Sequence, residues 1–266
     1  MVDMQSVMGT AGMLGGIGVV CGATLALIAR KFGVAEDERV AAVTETLPGI
    51  NCGSCGYAGC ADYAKAIVEH EVALNLCPPG GAKTATALGE LMGRKVEIAE
   101  PRMAVVRCTG SLDESRRHFA YNGITDCIAA QALNGGDKEC PYGCLGYGSC
   151  ARVCPTDAIV IENGLARVLR DRCIACGACV KVCPRHIIKI VPQSHSIHVL
   201  CNSKDRGPAV KKYCSTGCIG CRICTRLDEG GTFGMDGFLA VVDYEKPPAT
   251  NPQLIEKCPA HCIREA

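Results

Sequence analysis

The sequence has no tryptophan, and only 4% of its residues are aromatic. Aromatic side chains supply much of the buried area in a large conventional core. A chain with so few is expected to fold as small modules organised around something else. Charge of one sign is not in excess either. The formal net charge is +1 and no long Lys/Arg block occurs, so the electrostatic footprint of a nucleic-acid binder is missing. No Gly-rich dinucleotide motif follows a strand-like segment, and no Ser/His/Asp constellation stands out. Hydride and hydrolytic chemistry are not expected from this chain by itself. The length allows roughly two domains beside any anchor.

What the chain has instead is cysteine, 22 residues in 266. Most fall into runs that end in Cys-Pro: Cys52-x2-Cys55-x4-Cys60-x16-Cys77-Pro78, Cys140-x3-Cys144-x5-Cys150-x3-Cys154-Pro155, Cys173-x2-Cys176-x2-Cys179-x3-Cys183-Pro184, and Cys218-x2-Cys221-x2-Cys224 with a distant Cys258-Pro259. The third run has the bacterial ferredoxin spacing without a mismatch. There, three thiolates bind one [4Fe–4S] cluster and the fourth, before proline, ligates its neighbour. A disulfide framework competes with this reading, but such frameworks belong to short secreted chains. Zinc sites use paired C-x2-C half-sites, and a third thiolate two residues on, then Cys-Pro, is not their pattern. Several clusters in one chain imply stepwise one-electron transfer in a reducing compartment.

From Met4 to Ala29 no residue is charged; Asp3 precedes this run and Arg30-Lys31 follow it. About 20 mostly apolar residues suffice for a transmembrane helix, so residues 1–33 are expected to be a single-pass anchor. The flanking charges then put the bulk of the chain on the cytoplasmic side. A signal peptide is the competitor, but it would carry its positive charge first. The many glycines in the run would allow close approach of a membrane partner.

Residues 34–100 read as a small α-rich [4Fe–4S] domain, with Val34 to Glu45 charged and helix-prone. The stretch between Cys60 and Leu76 is helix-compatible, with Tyr63, Ile67 and Leu74 near one face. A second helix and then a strand are expected within 85–100, and residues 101–137 connect to the next unit. Residues 138–194 carry two cysteine runs around a hairpin signal, Asn163-Gly164. That is the arrangement of a two-cluster ferredoxin-like unit. Crossed ligation assigns Cys140, Cys144, Cys150 and Cys183 to one cluster, and Cys154, Cys173, Cys176 and Cys179 to the other. Residues 195–266 read as a degenerate copy of it. The spacer from Cys154 to Cys173 equals that from Asp228 to Pro247, so ligands of one crossed cluster are gone. Cys218, Cys221, Cys224 and Cys258 keep the other. The expected class is α+β: an N-terminal single transmembrane helix, then the α-rich domain, then ferredoxin-like (βαβ hairpin) iron–sulfur modules.

Of the remaining cysteines, Cys21 and Cys262 read as packing residues. Cys108 and Cys201 each end a short apolar strand-like segment, and each is followed by another cysteine, Cys127 and Cys214. Two readings stand for this set of four: a fifth cluster, or buried, capped thiols.

With these motifs the chain resembles the RnfB/RsxB family, which belongs to the Rnf ion-translocating electron-transport complex. The resemblance rests on the N-terminal apolar run, LPGINCGSCGYAGCADYAKAI, CPPGG, and KECPYGCLGYGSCARVCPTDAI. It covers essentially the whole chain, although the first segment is also similar to corrinoid iron–sulfur proteins. It implies an iron–sulfur subunit of a membrane complex, a translocase and oxidoreductase as part of that complex. It would accept electrons from reduced soluble ferredoxin, relay them through several [4Fe–4S] clusters, and work with other subunits that move Na⁺ or H⁺. Long-form members carry two clusters in the C-terminal module, from which Asp228 and Pro247 depart. The alternative is a ferredoxin-like electron-transfer subunit of another reductase without ion pumping.

Overall fold

A computed structural model describes residues 4–32, 37–98 and 100–265. Helix α1 (Met4–Phe32) covers the uncharged N-terminal run. Among the described residues, however, no helix is long and apolar enough to cross a membrane. The expected single transmembrane helix is therefore not supported. Gly9, Gly12, Gly15, Gly16, Gly18 and Gly22 lengthen α1 without adding apolar side chain, and apolar area is what drives transfer from water. An uncharged run is thus not necessarily an apolar one. Asp3 and residues 33–36, part of that expectation, lie outside the described residues.

The chain divides into two compact units between Ala42 and Val43. Helix α2 (Glu38–Thr46) straddles the division. The second unit begins with an α-rich module of α3 (Cys60–His70) and α4 (Gly81–Met92). Gly59 offers α3 no capping side chain, so Asn51 takes that role from nine residues upstream, accepting the Cys60 N–H at 2.8 Å. Tyr63, Ile67 and Leu74 are buried. The Tyr63 hydroxyl donates to the Ala73 carbonyl at 2.7 Å and accepts the Leu76 N–H at 3.3 Å, which fixes the chain just before Cys77. Residues 94–98 form no strand.

The rest of the unit repeats one arrangement twice. In the first copy, β1 (Arg102–Val106) pairs antiparallel with β4 (Ile188–Pro192), Ala104 opposite Ile190, and β2 (Ile159–Glu162) forms a hairpin with β3 (Leu165–Val168). Asn163 and Gly164 turn that hairpin with φ of 48° and 68°, the left-handed pair a tight two-residue turn demands. Helices α5 (Cys127–Ala132), α6 (Ser149–Arg152) and α7 (Ala178–Val182) complete the copy. In the second copy, β5 (Ile197–Val199) pairs with β8 (Ile263–Glu265), and β6 (Phe233–Asp236) forms a hairpin with β7 (Leu239–Val242). Its helices are α8 (Gly207–Tyr213), α9 (Ile223–Leu227) and α10 (Gln253–Glu256).

The second copy shows what stands in place of lost cysteines. The Asp228 carboxylate accepts the Phe233 N–H at 2.6 Å, Thr232 donates to the Pro247 carbonyl at 2.8 Å, and Asn251 donates to the Leu227 carbonyl at 3.1 Å. Hydrogen bonds hold this end of the second copy; in the first copy thiols occupy it.

Candidate iron–sulfur sites

All the cysteines are free thiols, and all but Cys21 gather into five groups within the second unit. The first group belongs to the α-rich module. Cys52 and Cys55 lie on the loop before α3, Cys60 is its first residue, and Cys77 follows the segment that Tyr63 pins. Burial pushes the Cys77 thiol up, and the nearby Cys60, Cys52 and Cys55 add to it.

Cys154, Cys173, Cys176 and Cys179 line one cavity of the first repeat. Cys154 Sγ accepts the Ala158 N–H and Cys173 Sγ the Ala104 N–H, both at 3.3 Å. Burial pushes Cys179 up to about 12, with Cys173, Cys176 and Cys154 contributing. The Ser54 hydroxyl donates to the Cys176 carbonyl, so the loop of the first group abuts this one.

The next cavity is lined by Cys127, Cys144, Cys150 and Cys183. Here the structure departs from the sequence reading, which put Cys140 where Cys127 lies. The reason is the seat of α5. Asp126 caps that helix, accepting from the Ile128 and Ala129 N–H groups at 2.8 and 3.0 Å. Buried Ser149, at the start of α6, donates to Asp126 at 2.8 Å and accepts the Cys127 N–H at 2.7 Å. Arg152 pairs with the same carboxylate. Burial pushes Cys150 up to about 12, with Cys127, Cys183 and Cys179 adding to it.

Cys140 lines a fourth cavity instead, with Cys108, Cys201 and Cys214. Burial pushes it up to about 12, and Cys108, Cys201 and Cys214 contribute. The sequence held a signal for this exchange: Asp126 stands as a helix cap directly before Cys127, and the gap from Cys144 to Cys150 is longer than in the ferredoxin run.

The fifth cavity is lined by Cys218, Cys221, Cys224 and Cys258, together with Cys262. Gly220 in this loop has φ 70°, and a Cβ there would lie 2.8 Å from the Phe238 carbonyl oxygen, so only glycine fits. Ala240 N–H donates to Cys218 Sγ at 3.5 Å. Cys262, which reads from sequence as a packing residue, is buried with its Sγ 3.7 Å from that of Cys258. The neighbouring Cys262 thiol holds Cys218 and Cys258 down at about 6 and about 5, and their proximity in turn pushes Cys262 up. Burial pushes Cys224 up to about 11.

These donor sets fit an iron–sulfur cluster. Each offers four thiols, and main-chain N–H groups already point at several of the sulfurs, as cluster sulfurs require. Among the described residues, no three His, Cys, Asp or Glu converge as a single metal ion demands. Four thiolates around one zinc would crowd to about 4 Å from each other, given Zn–S bonds of about 2.3 Å; a cube of irons and sulfides spreads its ligands wider. Fold and donor chemistry together define an iron–sulfur electron-transfer protein.

Two family descriptions match the chain: a putative Fe-S cluster domain over residues 47–79 and a 4Fe-4S binding domain over residues 166–189. Curated relatives match far more of it. The B-subunit of the Na(+)-translocating ferredoxin:NAD(+) oxidoreductase complex of Acetobacterium woodii is 39% identical over 98% of this chain and 78% of its own. The B-subunit of the proton-translocating ferredoxin:NAD(+) oxidoreductase complex of Clostridium ljungdahlii is 40% identical over 93% of this chain and 88% of its own. That of the ion-translocating oxidoreductase complex of Methanosarcina acetivorans is 37% identical over 94% and 95%. The chain belongs to the RnfB family of ion-translocating oxidoreductase complexes. It is an iron–sulfur electron-transfer subunit and functions as an oxidoreductase as part of its complex.

Proposed function

We propose that this protein accepts electrons from reduced ferredoxin and relays them along a series of [4Fe–4S] clusters toward the subunits of a membrane complex that move Na⁺ or H⁺. Four clusters are assigned here: one on Cys52, Cys55, Cys60 and Cys77, one on Cys154, Cys173, Cys176 and Cys179, one on Cys127, Cys144, Cys150 and Cys183, and one on Cys218, Cys221, Cys224 and Cys258. When bound, each such cluster takes up and releases a single electron. The residues fix the thiolates, aim N–H groups at sulfur, and leave the groups unequally buried, the first half-exposed and the third and last mostly buried, which together set the potential.

The observation that carries the reading is the adjacency of the groups. Ser54 joins the first to the second through Cys176, and Cys150 of the third lies near Cys179 of the second. Relatives named as parts of ferredoxin:NAD(+) oxidoreductase complexes support the electron source. This chain has no dinucleotide motif of its own, so NAD⁺ chemistry belongs to another subunit. We place the chain on the cytoplasmic face of the membrane, held there by its partner subunits.

Rapid mixing of the oxidised full chain with chemically reduced ferredoxin tests this. The cluster absorbance of the chain should bleach without any other subunit. Reduction by NADH but not by ferredoxin would overturn the proposed entry point.

A further inference from the structure

We propose that Cys108, Cys140, Cys201 and Cys214 hold a fifth [4Fe–4S] cluster, at the seam between the two ferredoxin-like repeats. This rests on the reading that the other groups hold clusters, and adds a site that neither family description covers.

The two repeats supply the set together. Cys108 follows β1 and Cys201 follows β5, each two residues beyond its strand, so they are the same position in the two copies. Cys214 follows α8, and Cys140 opens the cysteine-rich stretch of the first copy. All four line one cavity. The seam that brings them together is built of backbone and hydroxyl contacts: Arg116 N–H to the Tyr213 carbonyl at 2.9 Å, Ser215 N–H to the Glu114 carbonyl at 2.9 Å, and Thr109 to Thr216, both buried, at 2.9 Å.

Three further features suit an anionic cluster. Two sulfurs already accept main-chain N–H groups, Cys108 from Cys144 at 3.4 Å and Cys201 from Cys218 at 3.3 Å. Glycines keep side chains out of the cavity wall: a Cβ at Gly143 would sit 3.4 Å from Cys140 Sγ, and one at Gly217 would strike the Val210 side chain. Positive charge is buried beside it. Lys138 is only 2% exposed and donates to the Gly110 carbonyl, and buried Arg185 donates to the Cys140 carbonyl at 2.8 Å. A buried cation is costly without a counter-charge. Lys138 lies against this wall, since a Cβ at Gly143 would sit 3.0 Å from its Cδ and 3.4 Å from Cys140 Sγ. The site also closes the series, because its two N–H donors belong to Cys144 of the third group and Cys218 of the last.

The test uses the full chain, reconstituted and counted by native mass spectrometry and by iron and acid-labile sulfide. Five clusters, about twenty irons per chain, are expected, falling to about sixteen in Cys108→Ala and in Cys201→Ala. Double variants settle membership. Cys108→Ala with Cys140→Ala should lose one cluster, and Cys140→Ala with Cys150→Ala should lose two. Unchanged iron in Cys108→Ala and Cys201→Ala, or loss of a single cluster in the Cys140/Cys150 pair, overturns the proposal while leaving the four-cluster reading intact. A wild-type chain without iron sinks that reading itself. Should a variant shed all its clusters, the wild-type mass decides: five clusters support the site and four refute it.

Discussion

The main-chain N–H of Cys144 donates to Cys108 Sγ at 3.4 Å. The two residues line different cavities, so one hydrogen bond joins two thiol groups. The second repeat has the same bond, Cys218 N–H to Cys201 Sγ at 3.3 Å. The repeat therefore does more than duplicate a module. It puts a sulfur after the first strand of each copy within reach of the first cysteine of that copy's own cluster loop, and both sulfurs face one seam.

Cys262 should tune the last cluster rather than bind it. Its Sγ lies 3.7 Å from that of Cys258, so with Cys258 held as a cluster thiolate the Cys262 S–H is the group left to donate. A hydrogen bond to sulfur stabilises the more negative, reduced state. Cys262→Ala should keep its iron and shift that cluster's potential downward by about 40 mV, which is about 1 kcal/mol for one electron. An EPR-monitored redox titration reads this. Loss of about four irons in the variant would make Cys262 a ligand.

Ser149→Ala removes the acceptor of the Cys127 N–H and a donor to Asp126. The buried Cys127 N–H is then left short, at a cost of about 1–3 kcal/mol, and part-exposed Asp126 loses one of its donors. The expected result is a lower melting temperature and faster chelator loss of one cluster, that of Cys127, Cys144, Cys150 and Cys183. Uniform loss of all clusters at an unchanged melting temperature would show that Ser149 does not seat Cys127.

Tyr63→Phe keeps the buried ring but frees the Ala73 carbonyl and the Leu76 N–H. Stability of the α-rich module should fall by about 1–2 kcal/mol, with Cys77 becoming easier to alkylate after cluster removal. Equal denaturation midpoints for variant and wild type would contradict this.

His198 gives the fold a pH dependence. It is fully buried, with Nδ1 3.0 Å from the Tyr244 hydroxyl, and burial holds its imidazole down at about 4, helped by His195 and Arg170. An unfolded histidine titrates near 6.5, so between about 6.5 and 4 the unfolded chain binds the extra proton. This contribution is complete above pH 6.5 and is lost as pH falls through that window, about 2 kcal/mol between pH 7 and pH 5. His198→Gln should flatten the slope in denaturant titrations at the two pH values. Parallel losses in variant and wild type would refute it.

What the sequence made legible was local. The Asn163-Gly164 hairpin and the Cys173–Cys183 run are written in consecutive residues, and Asp228 and Pro247 mark a gap that spacing alone locates. The exchange of Cys127 for Cys140 has only a faint local signal, the Asp126 cap and the long gap before Cys150, because its seat depends on Ser149 holding Asp126 across 23 residues. The strand pairs β1–β4 and β5–β8 are longer-range still. The N-terminal run differs for another reason: it is free of charge, but the glycines of α1 add length without apolar side chain.

The most direct test of the account is joint analysis of iron, acid-labile sulfide and zinc in the full chain after anaerobic purification. Iron and sulfide are expected in equal amounts, at about sixteen to twenty per chain, with no stoichiometric zinc. Zinc filling the cysteine groups with sulfide absent would contradict it.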